Sequence, residues 1–143
     1  STVEISENQA SASIKFKIHK VLYKELEENK KIQLWTKEKM ESQVLLLPKG
    51  GYIIVEVRGL TIGSANTKWW EYIVQTMDGE EILRKQGEDE IPEFTSSQYG
   101  TTWWNLELLY LKDEITEPFK VFVIDKLNNK RSAFVVYPNQ VNK

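Results

Sequence analysis

Hydrophobic and polar residues alternate along several stretches of this chain. From Ser13 onward, Ile14, Phe16 and Ile18 alternate with lysines, and the pattern continues loosely through 21–23. Alternation with a period of two is typical of a strand with one buried face. By this pattern, or by their content of β-branched and aromatic residues, further strands are predicted over 43–47, 52–57, 69–77, 80–84, 101–111, 119–125 and 132–137.

Turn residues separate these predicted strands. A Pro-Lys-Gly-Gly sequence occupies 48–51, and Asp78-Gly79 lies between two strands. Asp-Gly predicts a tight hairpin, because the central residues of such turns adopt positive φ. Residues 1–11 predict a tail or a first edge strand, 85–100 a long polar loop, and 139–143 a tail.

The segment 24–42 is compatible with two structures. Glutamates at 25, 27 and 28 precede Lys30 and Lys31, and this spacing allows ion pairs on a helix. Ile32 and Leu34, however, alternate as they would in a short strand. A charged β-hairpin turning near 28–29 is the preferred prediction, and a helix is the alternative.

Eight or nine short strands separated by turns, without a long helical period, predict an all-β fold. We expect an antiparallel β-sandwich of about seven to nine strands. At 143 residues the chain has the length of a single domain, spanning 1–143. Several strands carry apolar residues on both faces, which is consistent with two sheets packed against each other.

The order of these segments resembles a known family. A strand SIKFKIHKVLY, a charged segment, the strand PKGGYIIVEVRGLTI, the Asp-Gly hairpin and a terminal hairpin over 119–137 are similar to immunoglobulin-like domains of small secreted or lipid-anchored bacterial proteins. The resemblance implies an immunoglobulin-like binding or scaffold domain outside the cytoplasm. The chain starts with Ser1 rather than Met, which favours a processed or trimmed chain. We therefore expect a secreted protein, or one anchored through a removed N-terminal segment.

Composition excludes several kinds of chemistry. The chain has no cysteine and one histidine, which rules out disulfides, thiolate nucleophiles, iron–sulfur clusters and multi-histidine metal sites. Its formal net charge of −2 argues against a general nucleic-acid binder. No apolar stretch approaches the roughly 18 residues needed for a membrane span, so no transmembrane segment is predicted. No cofactor is predicted either.

Four of the five tryptophans occur in two adjacent pairs near predicted strand starts. Neighbouring residues of a strand point to opposite faces, so one Trp of each pair is expected to point away from the core. An outward Trp is either covered by a loop, a terminus or a partner, or it forms a platform on which a sugar ring stacks. The candidate ligand-binding residues are Trp69, Trp70, Trp103 and Trp104, with Trp35 and Tyr99 if the adjoining loops fold over that edge.

Acidic residues are concentrated in one region. Residues 78–117 carry eleven acidic and three basic side chains. Oxygen ligands gathered in loops can bind calcium, although no Asp-x-Asp-x-Asp-Gly loop is present. The preferred interpretation is solvated charge that keeps sheet edges apart. The alternative is a calcium site formed by Glu88, Asp89, Glu90, Asp113 and Glu114.

We therefore expect a non-enzymatic binding or structural domain of unknown ligand. His19 lies among lysines and is interpreted as a surface residue, because nothing places a nucleophile and a carboxylate beside it. The alternatives are a carbohydrate-binding module, calcium-dependent binding to a membrane or protein, and a hydrolase with paired carboxylates. A protein or carbohydrate partner is expected, and an edge strand could pair two copies into a dimer.

Overall fold

Nine strands form two antiparallel sheets in the computed structural model, which describes residues 2–139. The strands are β1 (Thr2–Asn8), β2 (Ala12–Lys17), β3 (Tyr52–Gly59), β4 (Trp70–Thr76), β5 (Glu81–Gln86), β6 (Glu93–Ser97), β7 (Gly100–Tyr110), β8 (Phe119–Asp125) and β9 (Lys130–Tyr137). One sheet has the order β1-β9-β8-β4-β5 and the other β2-β3-β7-β6. The predicted antiparallel β-sandwich is confirmed, and the immunoglobulin-like assignment stays a prediction.

The core lies between the inward faces of the two sheets. Alternate residues of β3 and β8 are buried, including Ile53, Val55 and Val57 of β3. Phe16 of β2 meets Phe119 of β8 edge to face, with ring centroids 5.4 Å apart, and so joins one sheet to the other. Full burial of each such side chain contributes about 1.5–3 kcal/mol, which makes this layer the main source of stability.

Two helices, not a charged hairpin, connect β2 to β3. They are α1 (His19–Gln33) and α2 (Lys37–Leu45). The preferred prediction for 24–42 is therefore wrong, as are the strand over 43–47 and the continued strand over 21–23. Glu, Lys, Leu and Gln are good helix formers, and the Thr36 hydroxyl accepts a hydrogen bond from the Lys39 amide at 3.1 Å to cap α2. Neither helix in the described part of the chain has the length and apolar character to cross a membrane.

Other predicted boundaries also change. Of the two possibilities for 1–11, the edge strand is correct, because β1 pairs with β9. The polar loop over 85–100 is wrong in part, since it contains the end of β5 and all of β6. The sequence of β6 is short and polar, and only its pairing with β7 distinguishes it from a loop. The tail predicted over 139–143 lies outside the described residues, except for Asn139.

The first tryptophan pair points in two directions. Trp70 begins β4, is 1% exposed, and its indole donates a hydrogen bond to the Ser64 carbonyl at 3.1 Å. Trp69 ends a 3-10 turn over Thr67–Trp69 and is 38% exposed, with the Lys68 ammonium 5.3 Å from its ring centroid. One indole therefore belongs to the core and its neighbour to the surface.

This difference predicts unequal effects on stability. Trp70→Ala should lower the free energy of unfolding by about 3–5 kcal/mol, because it leaves a large cavity in the core. Trp69→Ala should change it by about 1 kcal/mol or less, because the indole is partly in water. Urea denaturation of both variants measures the difference. Equal losses would contradict the orientation of the pair.

Candidate binding surface

On the outer face of the five-stranded sheet, charged side chains cover the central strands, while Ile82 at the edge is 41% exposed. Ile73 alternates with core residues of β4 and so points outward, yet it is only 7% exposed. Arg84 forms an ion pair with Glu71 on this face, and the Arg131 guanidinium lies 5.2 Å from the Phe122 ring centroid. Long charged side chains can shield apolar surface in this way while their charged groups stay in water.

The four-stranded sheet leaves its outer face open. The cross-strand pairs on this face are Tyr52–Tyr110, Ile54–Leu108, Glu56–Leu106 and Arg58–Trp104. These residues alternate with the core residues of β3 and β7 and therefore share the solvent side. Leu106 is 48% and Tyr110 is 55% exposed. We call the set Tyr52, Ile54, Trp104, Leu106, Leu108 and Tyr110 the apolar face.

Positive charge borders the apolar face along β2. Lys15 lies beside Ile54, and Lys17 lies beside Tyr52. Lys15 is exposed, whereas Lys17 forms an ion pair with Glu25 of α1 at 2.6 Å. The hydrogen bond to Glu25 raises the pKa of the Lys17 ammonium. Glu25 therefore offsets the charge of Lys17, and Lys15 is the cation of this border that is open to solvent.

β6 and β7 extend beyond the rest of their sheet as a two-stranded ribbon. Gly59, at the end of β3, pairs with Trp103, so β3 does not reach the first residues of β7. β6 and β7 remain paired out to Ser97 and Gly100. All residues of 93–102 are exposed. We call 93–104 the ribbon, and it has little of the support that a sheet normally receives from a core.

Aromatic rings lie on both faces of the ribbon. Phe94 and Trp103 share the inward side, with ring centroids 5.3 Å apart. On the other side the Trp104 indole donates a hydrogen bond to the Thr95 hydroxyl at 3.1 Å. Tyr99 lies at the tip and is 89% exposed. The second tryptophan pair is therefore split between the apolar face and the reverse of the ribbon.

The other predicted ligand-binding residues lie elsewhere. Trp70 is inside the core, and Trp69 lies before β4 in the other sheet. Trp35 lies between the two helices, where it lines an open groove of about 510 Å³ with Tyr23 and Met40. The six aromatic residues are therefore not brought together in one platform, and Trp104 is the one that belongs to the apolar face.

The candidate calcium ligands fall into two groups. The segment 88–90 joins β5 to β6, where the Asn66 amide donates a hydrogen bond to the Asp89 carboxylate at 2.5 Å. Asp113 and Glu114 follow β7 at the opposite end of the sandwich, where the Asp113 carbonyl lies against Gly50. Within residues 2–139 no three His, Asp or Glu side chains are grouped as metal ligands would be.

His19 is the first residue of α1 and lines an open cavity of about 420 Å³ at the end of the sandwich where β3 begins. Lys20, Lys49 and Glu114 also line this cavity. Its lining has two ammonium groups and one carboxylate, so the formal charge is positive by one, and the carboxylate offsets part of any attraction for an anion.

A charged pair crosses the interior between the sheets. Glu107 of β7 points inward, with its side chain 14% exposed, 3.6 Å from the Lys85 ammonium of β5. Burial raises the pKa of the Glu107 carboxyl, and Lys85 partly offsets this. The buried Tyr72 hydroxyl has no hydrogen-bond partner within the described chain, and burial followed by the nearby Glu107 charge raises its pKa. The ion pair joins β5 of one sheet to β7 of the other and is therefore interpreted as a structural link between the sheets.

The apolar face was not predicted from the sequence. The signal was present, because 52–55 and 108–111 are apolar at both odd and even positions. Apolar residues on both faces of a strand also predict two packed sheets, so the pattern alone does not indicate an open face. Only the sheet order shows that the second face of β3 and β7 has no layer of the sandwich over it.

The raised pKa of Glu107 predicts a pH dependence of stability. A carboxyl that binds its proton more tightly in the folded state than in the unfolded state loses stability as pH rises from about 4.3 through the raised value. Glu107→Gln should remove this loss. Lys85→Met should extend the loss to higher pH, because Lys85 lowers the pKa of Glu107. Urea denaturation of the three proteins between pH 4 and pH 8 tests both expectations. A Glu107→Gln profile parallel to that of the unsubstituted chain would contradict them.

Comparison with family models, with curated proteins and with solved structures finds no match for this chain. Its function is therefore inferred from its own geometry.

Proposed function

We propose that this chain is a non-enzymatic binding domain whose apolar face docks a protein partner. Leu106 and Tyr110 support it, because they are 48% and 55% exposed on the outer side of β7, in the part of β7 that pairs with β3 and lies beyond its pairing with β6. Contiguous apolar patches on soluble monomers often mark interaction sites. The central strands of the other sheet support this by contrast, since their outward residues Ile73 and Val135 are only 7% and 8% exposed.

The border along β2 indicates the chemistry of the partner. Lys15 is exposed beside Ile54. A surface with an apolar centre and carboxylates at its rim would complement this arrangement. Rim charges act mainly on the rate of association and on orientation, so binding should weaken as salt is raised.

The geometry favours a protein over a sugar. Stacking on sugars needs ring faces that are presented together to the ligand. Tyr52 and Tyr110 instead meet edge to face, with their ring planes at 77°. Between them and Trp104 lie the aliphatic side chains Ile54, Leu106 and Leu108. The charged groups on this side, Glu56 and Arg58, form an ion pair with each other at 2.5 Å, which occupies part of their capacity to bind sugar hydroxyls.

The immunoglobulin-like assignment and a location outside the cytoplasm remain part of this proposal. Both rest on the resemblance of the sequence pattern. A binding role without catalysis is consistent with that resemblance and with the apolar face.

Photo-cross-linking at single positions tests the proposal. p-Benzoylphenylalanine is placed at Leu106 in the chain expressed in its native cells, and at Gln75, on the outer side of β4, as the matched control. We expect a discrete protein adduct from position 106 and none from position 75. Leu108→Lys should lower the adduct yield at position 106 by about tenfold or more, because binding would bury an unpaired charge.

Equal yields at the two positions, or no adduct at position 106, would contradict a docking role for the apolar face. A polysaccharide that quenches tryptophan fluorescence only while Trp104 is present would instead support the carbohydrate alternative.

A further inference from the structure

The four edge strands differ in their protection against pairing with another chain. Charged side chains and bulges are common devices that keep an exposed edge from pairing. β1 carries two glutamates and a register shift between Ile5 and Glu7. β2 carries Lys15 and Lys17, and β5 carries charges at 81, 84 and 85. Three edges therefore have at least one such device.

β6 has little of this protection. Glu93 is its only charged residue, and it lies at the very start of the strand. The register with β7 is regular, and all five residues of β6 are exposed. From Phe94 to Leu106 the chain has no charged residue, although 28% of its residues are charged. The outer edge of β6 is a row of backbone groups without a device that prevents pairing.

We propose that β6 pairs antiparallel with β6 of a second copy of this chain. The two four-stranded sheets would then form one eight-stranded sheet across a two-fold axis. Complete overlap of two five-residue strands places the axis at Thr95. The two Thr95 residues face each other in this register.

The self-paired register keeps charges apart. Glu93 of one copy lies opposite Ser97 of the other, so the carboxylates are at opposite ends of the paired strands. The acidic segment 88–90 of each copy approaches the uncharged tip of the other ribbon. Like charges directly opposite each other would destabilise the pairing, and this register has none.

The same register brings aromatic rings together. Phe94 lies opposite Ser96 of the second copy, which makes the two Phe94 residues diagonal neighbours on one face. Diagonal positions are about 7–8 Å apart, within reach of aromatic side chains. Phe94 already contacts Trp103 and is 59% exposed. Pairing therefore forms a continuous row of four rings and covers Phe94.

A second copy suits this edge better than an anionic membrane surface. Exposed aromatic residues on a ribbon are also found where proteins meet lipid. Here, however, Glu93 and the segment 88–90 adjoin the ribbon, and anionic headgroups would repel them. Self-pairing also places two apolar faces side by side, so one dimer would present two docking surfaces.

Disulfide cross-linking tests the register in the full chain, which has no cysteine of its own. Thr95→Cys should form a covalent dimer under mild oxidation, because the two side chains meet at the axis. Thr102→Cys is the matched control, since Thr102 pairs with Thr95 on the same face but lies one strand away from the edge. We expect at least about tenfold faster cross-linking at 95 than at 102. Equal rates at the two positions would overturn the proposed register.

Sedimentation equilibrium of the cysteine-free chain tests the dimer itself. A five-residue strand pair is a small interface, so a dissociation constant in about the micromolar to millimolar range is expected. Ser96→Lys should raise it about tenfold or more, whereas Thr101→Lys, the same charge across the ribbon on β7, should change it much less. A monomer at all concentrations up to about 1 mM would overturn the proposal. A chain that stays monomeric and whose tryptophan emission shifts when it binds phosphatidylcholine or phosphatidylglycerol vesicles would also overturn the proposal.

Discussion

The structure depends on the pairing of β3 with β7, two strands that carry apolar side chains on both faces. Their inward residues, such as Val55 and Leu109, are fully buried and form the centre of the sandwich. Because side chains alternate, the same register places Ile54 beside Leu108 on the other face. The core and the apolar face are therefore two consequences of one strand pairing. A register slip of one residue would exchange them.

The outer faces of the two sheets differ in the exposure of their central apolar residues. In the five-stranded sheet, Ile73 is 7% exposed beside the Arg84–Glu71 ion pair, and Ile82 at the edge is 41% exposed. In the four-stranded sheet, lysines lie along the β2 border and the Glu56–Arg58 ion pair lies at the other end of β3, while Leu106 and Tyr110 stay exposed. Side chains that remain half exposed contribute little to stability, so stability alone does not explain Leu106 and Tyr110. We propose that a partner covers them. Self-pairing of β6 would enlarge this surface without covering it.

Local pattern predicted the strands well and the helices poorly. Alternation predicted β2, β3 and β8, and Asp78-Gly79 predicted the turn between β4 and β5, because these signals act over a few residues. The prediction of a hairpin over 24–42 was wrong because Ile32 and Leu34 alternate as they would in a strand. No strand in the described part of the chain pairs with them. Their exposures of 76% and 87% show that this apolar pair belongs to the surface of the helical connection.

The candidate site was only partly visible in the sequence. Alternation correctly separated Trp69 from Trp70, but it could not show that Trp103 and Trp104 lie on a ribbon beyond the core. The apolar face was hidden for a related reason. The identity of an apolar residue on a strand does not tell whether its face packs against the other sheet or meets water. The order of strands in the sheets distinguishes the two cases, and that order depends on contacts between distant segments.

Hydroxyl-radical footprinting of the isolated chain measures whether the four-stranded sheet leaves its apolar face open to solvent. Leu106 and Tyr110 on the apolar face should be oxidised much faster than Ile73 and Val135 on the other outer face, because the exposed fractions are 48% and 55% against 7% and 8%. Oxidation rates that are similarly low for all four residues would contradict the exposure of the apolar face. They would show that the chain covers this face itself or that a second copy covers it.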